Sequence, residues 1–126
     1  MSMRTPLGKV RGLGSARDGT QHFWRQRITA VANIPLVLIG LCLTVSLVGA
    51  PYEEVRATLA SPLTAIFIAL FSLSTLYHMH LGMQVVIEDY VHGELNKIAL
   101  IMLNTFFVVF SGALIAYAIF RLAFGG

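Results

Sequence analysis

The chain has 126 residues, 56% of them hydrophobic and only 12% charged, with a formal net charge of +3. Ordinary globular domains carry roughly 25% charged residues, and a globule this small has too little interior to hide so much apolar surface, so a water-soluble fold is excluded and a bilayer is required. One cysteine, Cys42, and four histidines leave no intrachain disulfide and no zinc framework, and Cys42 reads as a small hydrophobe facing lipid or a helix.

Residues 1–27 come first, as a cytoplasmic arm and interfacial segment. Residues 1–17 are rich in Gly, Arg and Ser and read as a flexible arm. Residues 18–27 mix Phe23 and Trp24 with Arg25 and Arg27, which suits the headgroup layer. Six of the nine basic residues (Arg4, Lys9, Arg11, Arg17, Arg25 and Arg27) precede the first apolar span, opposed only by Asp18. So short a basic arm on a membrane protein explains an anchor and argues against nucleic-acid binding.

The first transmembrane helix is expected over 28–49, where no Asp, Glu, Lys or Arg occurs. About 20 helical residues cross the ~30 Å hydrocarbon core. Pro35 should kink this span, with Asn33 as a nearby polar partner. The stretch is too long for a cleaved signal peptide, and Pro51 would hinder cleavage after Ala50. Residues 50–61 read as a periplasmic loop with Glu53, Glu54 and Arg56. Ser61-Pro62 then forms a strong helix start, a Ser cap followed by Pro at the first helical position.

The second transmembrane helix is expected over 62–89, longer than the bilayer core and so tilted or protruding. It carries His78 and His80. A cytoplasmic loop is expected at 90–97, where Gly93 reads as a helix stop and Asn96 as a cap for the next helix. The third transmembrane helix takes 98–124, uncharged until Arg121, which can snorkel to the interface. Positive residues mark the cytoplasmic side. The expected fold is therefore all-α, with three transmembrane helices, the N-terminus cytoplasmic and the C-terminus periplasmic.

Ionisable residues inside a span usually face protein, water or a ligand. His78 lies about 16 Å along the helix from Asp89, inside the hydrocarbon region. It shares one face with Gly82, Val85 and Asp89, at i, i+4, i+7 and i+11. Two roles fit it: axial ligation of a haem iron, with Gly82 clearing space for a flat macrocycle, or a hydrogen bond to a neighbouring helix. His80 points about 200° away, so one iron cannot take both, and it reads as a polar contact within a subunit interface. No other span of this chain offers a histidine. A bis-histidine haem at His78 would therefore need a partner subunit. Asp89 and Tyr90 end the same helix: either interfacial polar residues, or a proton-delivering carboxylate beside a Tyr hydroxyl that donates to a quinone carbonyl. His22 and Arg27 also read as interfacial polar residues. By this reading the polar groups within the membrane concentrate on the second span, which suits a cofactor site better than a transport path.

The stretch Tyr77-His78-Met79-His80-Leu81-Gly82-Met83-Gln84-Val85-Val86-Ile87-Glu88-Asp89-Tyr90-Val91 resembles the hydrophobic membrane anchor (D-type) subunits of succinate dehydrogenase. The pattern is H-x-x-x-G-M and then, further along, D-Y-V. Arg27-Ile28-Thr29-Ala30 is similar to the family's R-x-T-A, and the N-terminal segment looks alphaproteobacterial. The resemblance implies an anchor of complex II in a bacterial inner membrane, with the mitochondrial inner membrane as the alternative. It implies a haem b shared with a second, cytochrome b-type anchor subunit, ubiquinone as the substrate reduced there, and iron–sulfur and flavoprotein subunits that oxidise succinate. By position, His78 matches the axial ligand, and Tyr90 with Asp89 the quinone site. Arg27 matches a propionate-binding arginine and His22 a nearby histidine, although the His22–Arg27 spacing is one residue shorter than the family's. His80 stands where relatives carry an aromatic residue. With no flavin motif or cysteine cluster, this chain would not itself oxidise succinate. Two alternatives are the anchor of a fumarate reductase and a cofactor-free small membrane transport or structural protein.

Overall fold

The computed structural model describes residues 5–12 and 18–125; residues 1–4 and 13–17, the remainder of the expected flexible arm, lie outside the described residues, as does Gly126. Among the described residues every regular element is helical. Helix α1 spans Pro6–Val10, α2 Asp18–Ser46, α3 Tyr52–Ala60, α4 Pro62–Tyr90 and α5 Glu94–Phe124. Three of them are long and apolar enough to cross a membrane: Thr20–Ser46 within α2, all of α4 and all of α5. At 1.5 Å per residue, the 29 residues of α4 reach about 43 Å, beyond the ~30 Å core.

The helix boundaries follow local chemistry. α2 runs unbroken through the interfacial segment and through Pro35. It stops where Gly49 takes φ +80°, a left-handed conformation that suits glycine, and Pro51 comes two residues later. Residues 50–61, read as a loop, contain the nine-residue α3. Pro51 caps it, and Glu53 and Glu54 sit in its first turn, where acids favour the positive end of the helix dipole. Ser61 closes α3 and opens α4; its side chain accepts from the Thr64 backbone N–H, and Pro62 starts the helix. Gly93 is the N-cap of α5 rather than the stop of α4, which ends at Tyr90 with Val91 as its C-cap. Asn96 therefore lies inside the first turn of α5. Glu94 and Arg121 occupy the first and last turns of α5, each opposite in sign to the dipole end beside it.

The three long helices form an open row. α2 and α5 each pack against α4, and among the described residues no contact joins α2 to α5. Such a row has almost no interior: among the described residues only Leu81, Ile87 and Asn104 are buried, and large apolar side chains are exposed along all three helices. In the α2–α4 seam, the stacked rings of Phe67 and Phe71 lie over Gly40. In the α4–α5 seam, Leu76 packs on Gly112. Small residues at such crossings let helix backbones approach where lipid supplies no hydrophobic drive. α3 packs against α4 and α5 at the opposite end of the row from Tyr90. There the Arg56 guanidinium donates to the Gly125 carbonyl at 3.4 Å.

Candidate functional site

Polar side chains stitch both seams. On the α2 side, Thr29 Oγ1 lies 3.0 Å from His78 Nδ1. One helical turn further along α2, and one turn back along α4, Ser74 donates to Asn33 Oδ1 at 2.6 Å. On the α5 side, Asn104 Nδ2 reaches both the His80 carbonyl and His80 Nδ1, each at 3.1 Å. The partners of the α4 polar groups thus come from the first and third spans. The sequence expectation of polar groups concentrated on the second span is corrected accordingly, since Thr29, Asn33 and Asn104 all serve α4. An interhelical hydrogen bond in a membrane contributes only about 0.6 kcal/mol on average. These contacts therefore fix rotation and register more than they supply association energy. Asn33 is engaged with Ser74, across the seam from the backbone around Pro35.

The two histidines, two positions apart, face opposite neighbours as their angular separation requires. His80, expected to make a polar contact in a subunit interface, instead makes one inside this chain, with Asn104, which is 8% exposed. His78 is held at Nδ1 by Thr29, and among the described residues its Nε2 has no hydrogen-bond partner.

Beyond His78 toward the N-terminal end of α2, the seam opens into a groove of about 440 Å³ lined by His22, Phe23, Gln26, Arg27, Gly82 and Val85. This brings together His22 and Arg27, from the expected interfacial segment, and Gly82, from the expected second span. Arg27 holds its guanidinium 5.2 Å from the Phe23 ring centroid, a cation–π contact that leaves its N–H groups available to an anion. Phe23 is braced edge-on by Trp24. Gly82 forms the floor: a Cβ there would stand 3.4 Å from Gln26 Nε2. His22 Nε2 and Gln26 Oε1 are buried with no hydrogen-bond partner among the described residues. Leaving such groups unpaired costs about 1–3 kcal/mol each, so the groove sets one positive charge and two unsatisfied polar atoms among largely apolar walls. Asp89 and Tyr90 stand apart from its lining, exposed at the end of α4, with Tyr90 77% accessible.

Sequence reasoning missed Thr29, Gln26 and Asn104 as members of this polar framework. A lone amide in the middle of an apolar span was a readable signal for Asn104. Gln26 offered none, because its significance depends on Gly82 of another helix.

The profile of the family described as "Succinate dehydrogenase/Fumarate reductase transmembrane subunit" matches residues 1–119. The chain is 35% identical over 119 residues to the succinate dehydrogenase hydrophobic membrane anchor subunit of Paracoccus denitrificans, covering 94% of this chain and 89% of that one. It is 31% identical over 119 residues to the subunit of the same name from Rickettsia bellii, covering 94% and 95%. It is 32% identical over 90 residues to the succinate dehydrogenase membrane anchor subunit of Reclinomonas americana, covering 69% and 75%. No solved structure gives a significant match.

Proposed function

Because the chain belongs to the succinate dehydrogenase/fumarate reductase transmembrane subunit family, as a hydrophobic membrane anchor of succinate dehydrogenase, we propose that it holds one side of a haem b site and of a ubiquinone-reduction site. The catalytic flavoprotein and iron–sulfur subunits dock on it at the inner membrane of a bacterial cell. Its N-terminus is cytoplasmic and its C-terminus periplasmic, in keeping with the basic arm.

One observation carries the haem assignment. Of the two imidazoles in α4, His78, fixed at Nδ1 and with no partner at Nε2 among the described residues, is the one a turn from a groove holding an arginine and two unpaired polar atoms. A lone imidazole suits a metal that arrives with its own donors. Bound there, the haem would supply a one-electron redox centre. His78 would provide one iron-ligating nitrogen, and the second anchor subunit another. Arg27, with its N–H groups free, would pair with a propionate. His22 Nε2 and Gln26 Oε1 would find polar partners along that same edge. Gly82 keeps the floor low. Tyr90, exposed at the helix end, would donate its O–H to a quinone carbonyl, and Asp89 beside it would pass a proton. Relatives named for succinate dehydrogenase support electron flow from succinate to quinone over the reverse.

The test is a reduced-minus-oxidised optical spectrum of the purified complex, wild type against His78→Ala, with assembly checked by blot. Loss or displacement of a b-type band supports the assignment. An unaltered band in an assembled variant removes it.

A further inference from the structure

We infer that Thr29 is a positioning residue that sets the tautomer of His78, presenting the Nε2 lone pair to the haem iron, while Asn104, on the other side of α4, holds His80 in the opposite tautomer. The inference rests on the reading of His78 as an axial ligand.

The basis is a count of protons. A threonine hydroxyl has one hydrogen to give. Thr29 Oγ1 lies 2.8 Å from the Arg25 carbonyl oxygen and 3.1 Å from that of Gln26. Both oxygens are acceptors only. At 2.8 Å two oxygens repel unless a proton lies between them, so the Thr29 hydrogen goes back to its own helix, the usual habit of a helical threonine. His78 Nδ1, 3.0 Å away, must then be the donor. A neutral imidazole protonated at Nδ1 carries its lone pair at Nε2.

The same count at His80 gives the reverse. Asn104 Nδ2 sits 3.1 Å from the His80 carbonyl oxygen. That oxygen accepts only, which identifies the atom beside it as the amide nitrogen. Its second hydrogen points to His80 Nδ1, also at 3.1 Å. Nδ1 therefore accepts, and His80 bears its proton at Nε2, where no lone pair remains for a metal. Two histidines in one helix turn are thus made unequal by one hydroxyl and one amide.

An acceptor at Nδ1–H orients a ligating imidazole and makes it a stronger electron donor. A stronger donor stabilises the ferric state more than the ferrous. Thr29→Val keeps the shape and removes the acceptor. In the assembled complex it should raise the haem midpoint potential, by on the order of 59 mV if the ferric-over-ferrous preference changes tenfold for this one-electron couple. It should also lower haem retention about tenfold. Thr29→Ser, which keeps the hydroxyl, should restore both. Thr29→Ala repeats the loss in a smaller side chain should the valine variant not assemble. Asn104→Leu should leave the potential in place. A wild-type potential in Thr29→Val or Thr29→Ala, or a serine variant that behaves like valine, overturns the inference while leaving His78→Ala to decide the ligand. If His78→Ala itself leaves the haem band unaltered, the ligand reading fails and this inference falls with it.

Discussion

The α2–α4 seam and the α4–α5 seam are built on the same helix, and each uses a histidine two positions from the other's. They differ in completeness. Between α4 and α5, Asn104 is buried, and both its amide hydrogens meet acceptors on His80. Between α2 and α4, the contact at His78 gives way to an open groove with an arginine and two unpaired buried atoms. In the α4–α5 seam no side-chain polar atom is buried without a hydrogen-bond partner among the described residues. The two unpaired atoms of the α2–α4 seam lie where the proposed haem would place its polar edge.

That contrast can be broken most directly at the histidines. His78→Ala is expected to abolish the b-type haem band in the assembled complex, and the corresponding His80→Ala to keep it; equal loss in both would erase the distinction between the seams. Filling the groove comes next. Gly82→Val would crowd Gln26, and overpacking of about 1–3 kcal/mol predicts roughly tenfold weaker haem retention, read from haem per complex. Tyr90→Phe removes one neutral hydrogen bond of about 1 kcal/mol. Quinone reduction should fall about fivefold with an unchanged haem spectrum, as measured by turnover with a soluble quinone. Asn104→Leu should cost up to about 1.7 kcal/mol of stability, seen as a lower unfolding midpoint in detergent with the haem band intact. Ser74→Ala is the smallest change, about 0.6 kcal/mol, again without spectral effect. A haem shift in Asn104→Leu would mean that the seams are coupled rather than separate, and one in Ser74→Ala that the register of the α2–α4 seam reaches the site at His78.

Local pattern made part of the molecule legible in its chain. Uncharged runs marked the three long helices, and Ser61-Pro62 marked the start of α4, where the side-chain cap to Thr64 is found. Helix α3 carried its own signals, Pro51 and two acids in the first turn, but its polar face looked like a loop. Gly93 was ambiguous in principle, since glycine serves both a helix end and a helix start when so short a connection, Val91 to Gly93, joins two helices. Helical spacing placed His78 and Gly82 on one face. It could not say that Thr29 would meet His78, or that Gln26 would lie over Gly82, because those depend on the register between helices. That register is fixed by pairs such as Asn33–Ser74 that are distant in sequence.

The open row has a thermodynamic consequence. Among the described residues each outer span packs against only one other span, so few contacts within this chain hold the outer spans in place. The exposed flanks are completed from outside, by lipid or by another subunit. Folding and assembly are then one linked equilibrium, governed by mass action. Wherever a partner subunit rather than lipid covers a flank, the chain's lifetime in the membrane is expected to rise with the amount of that partner.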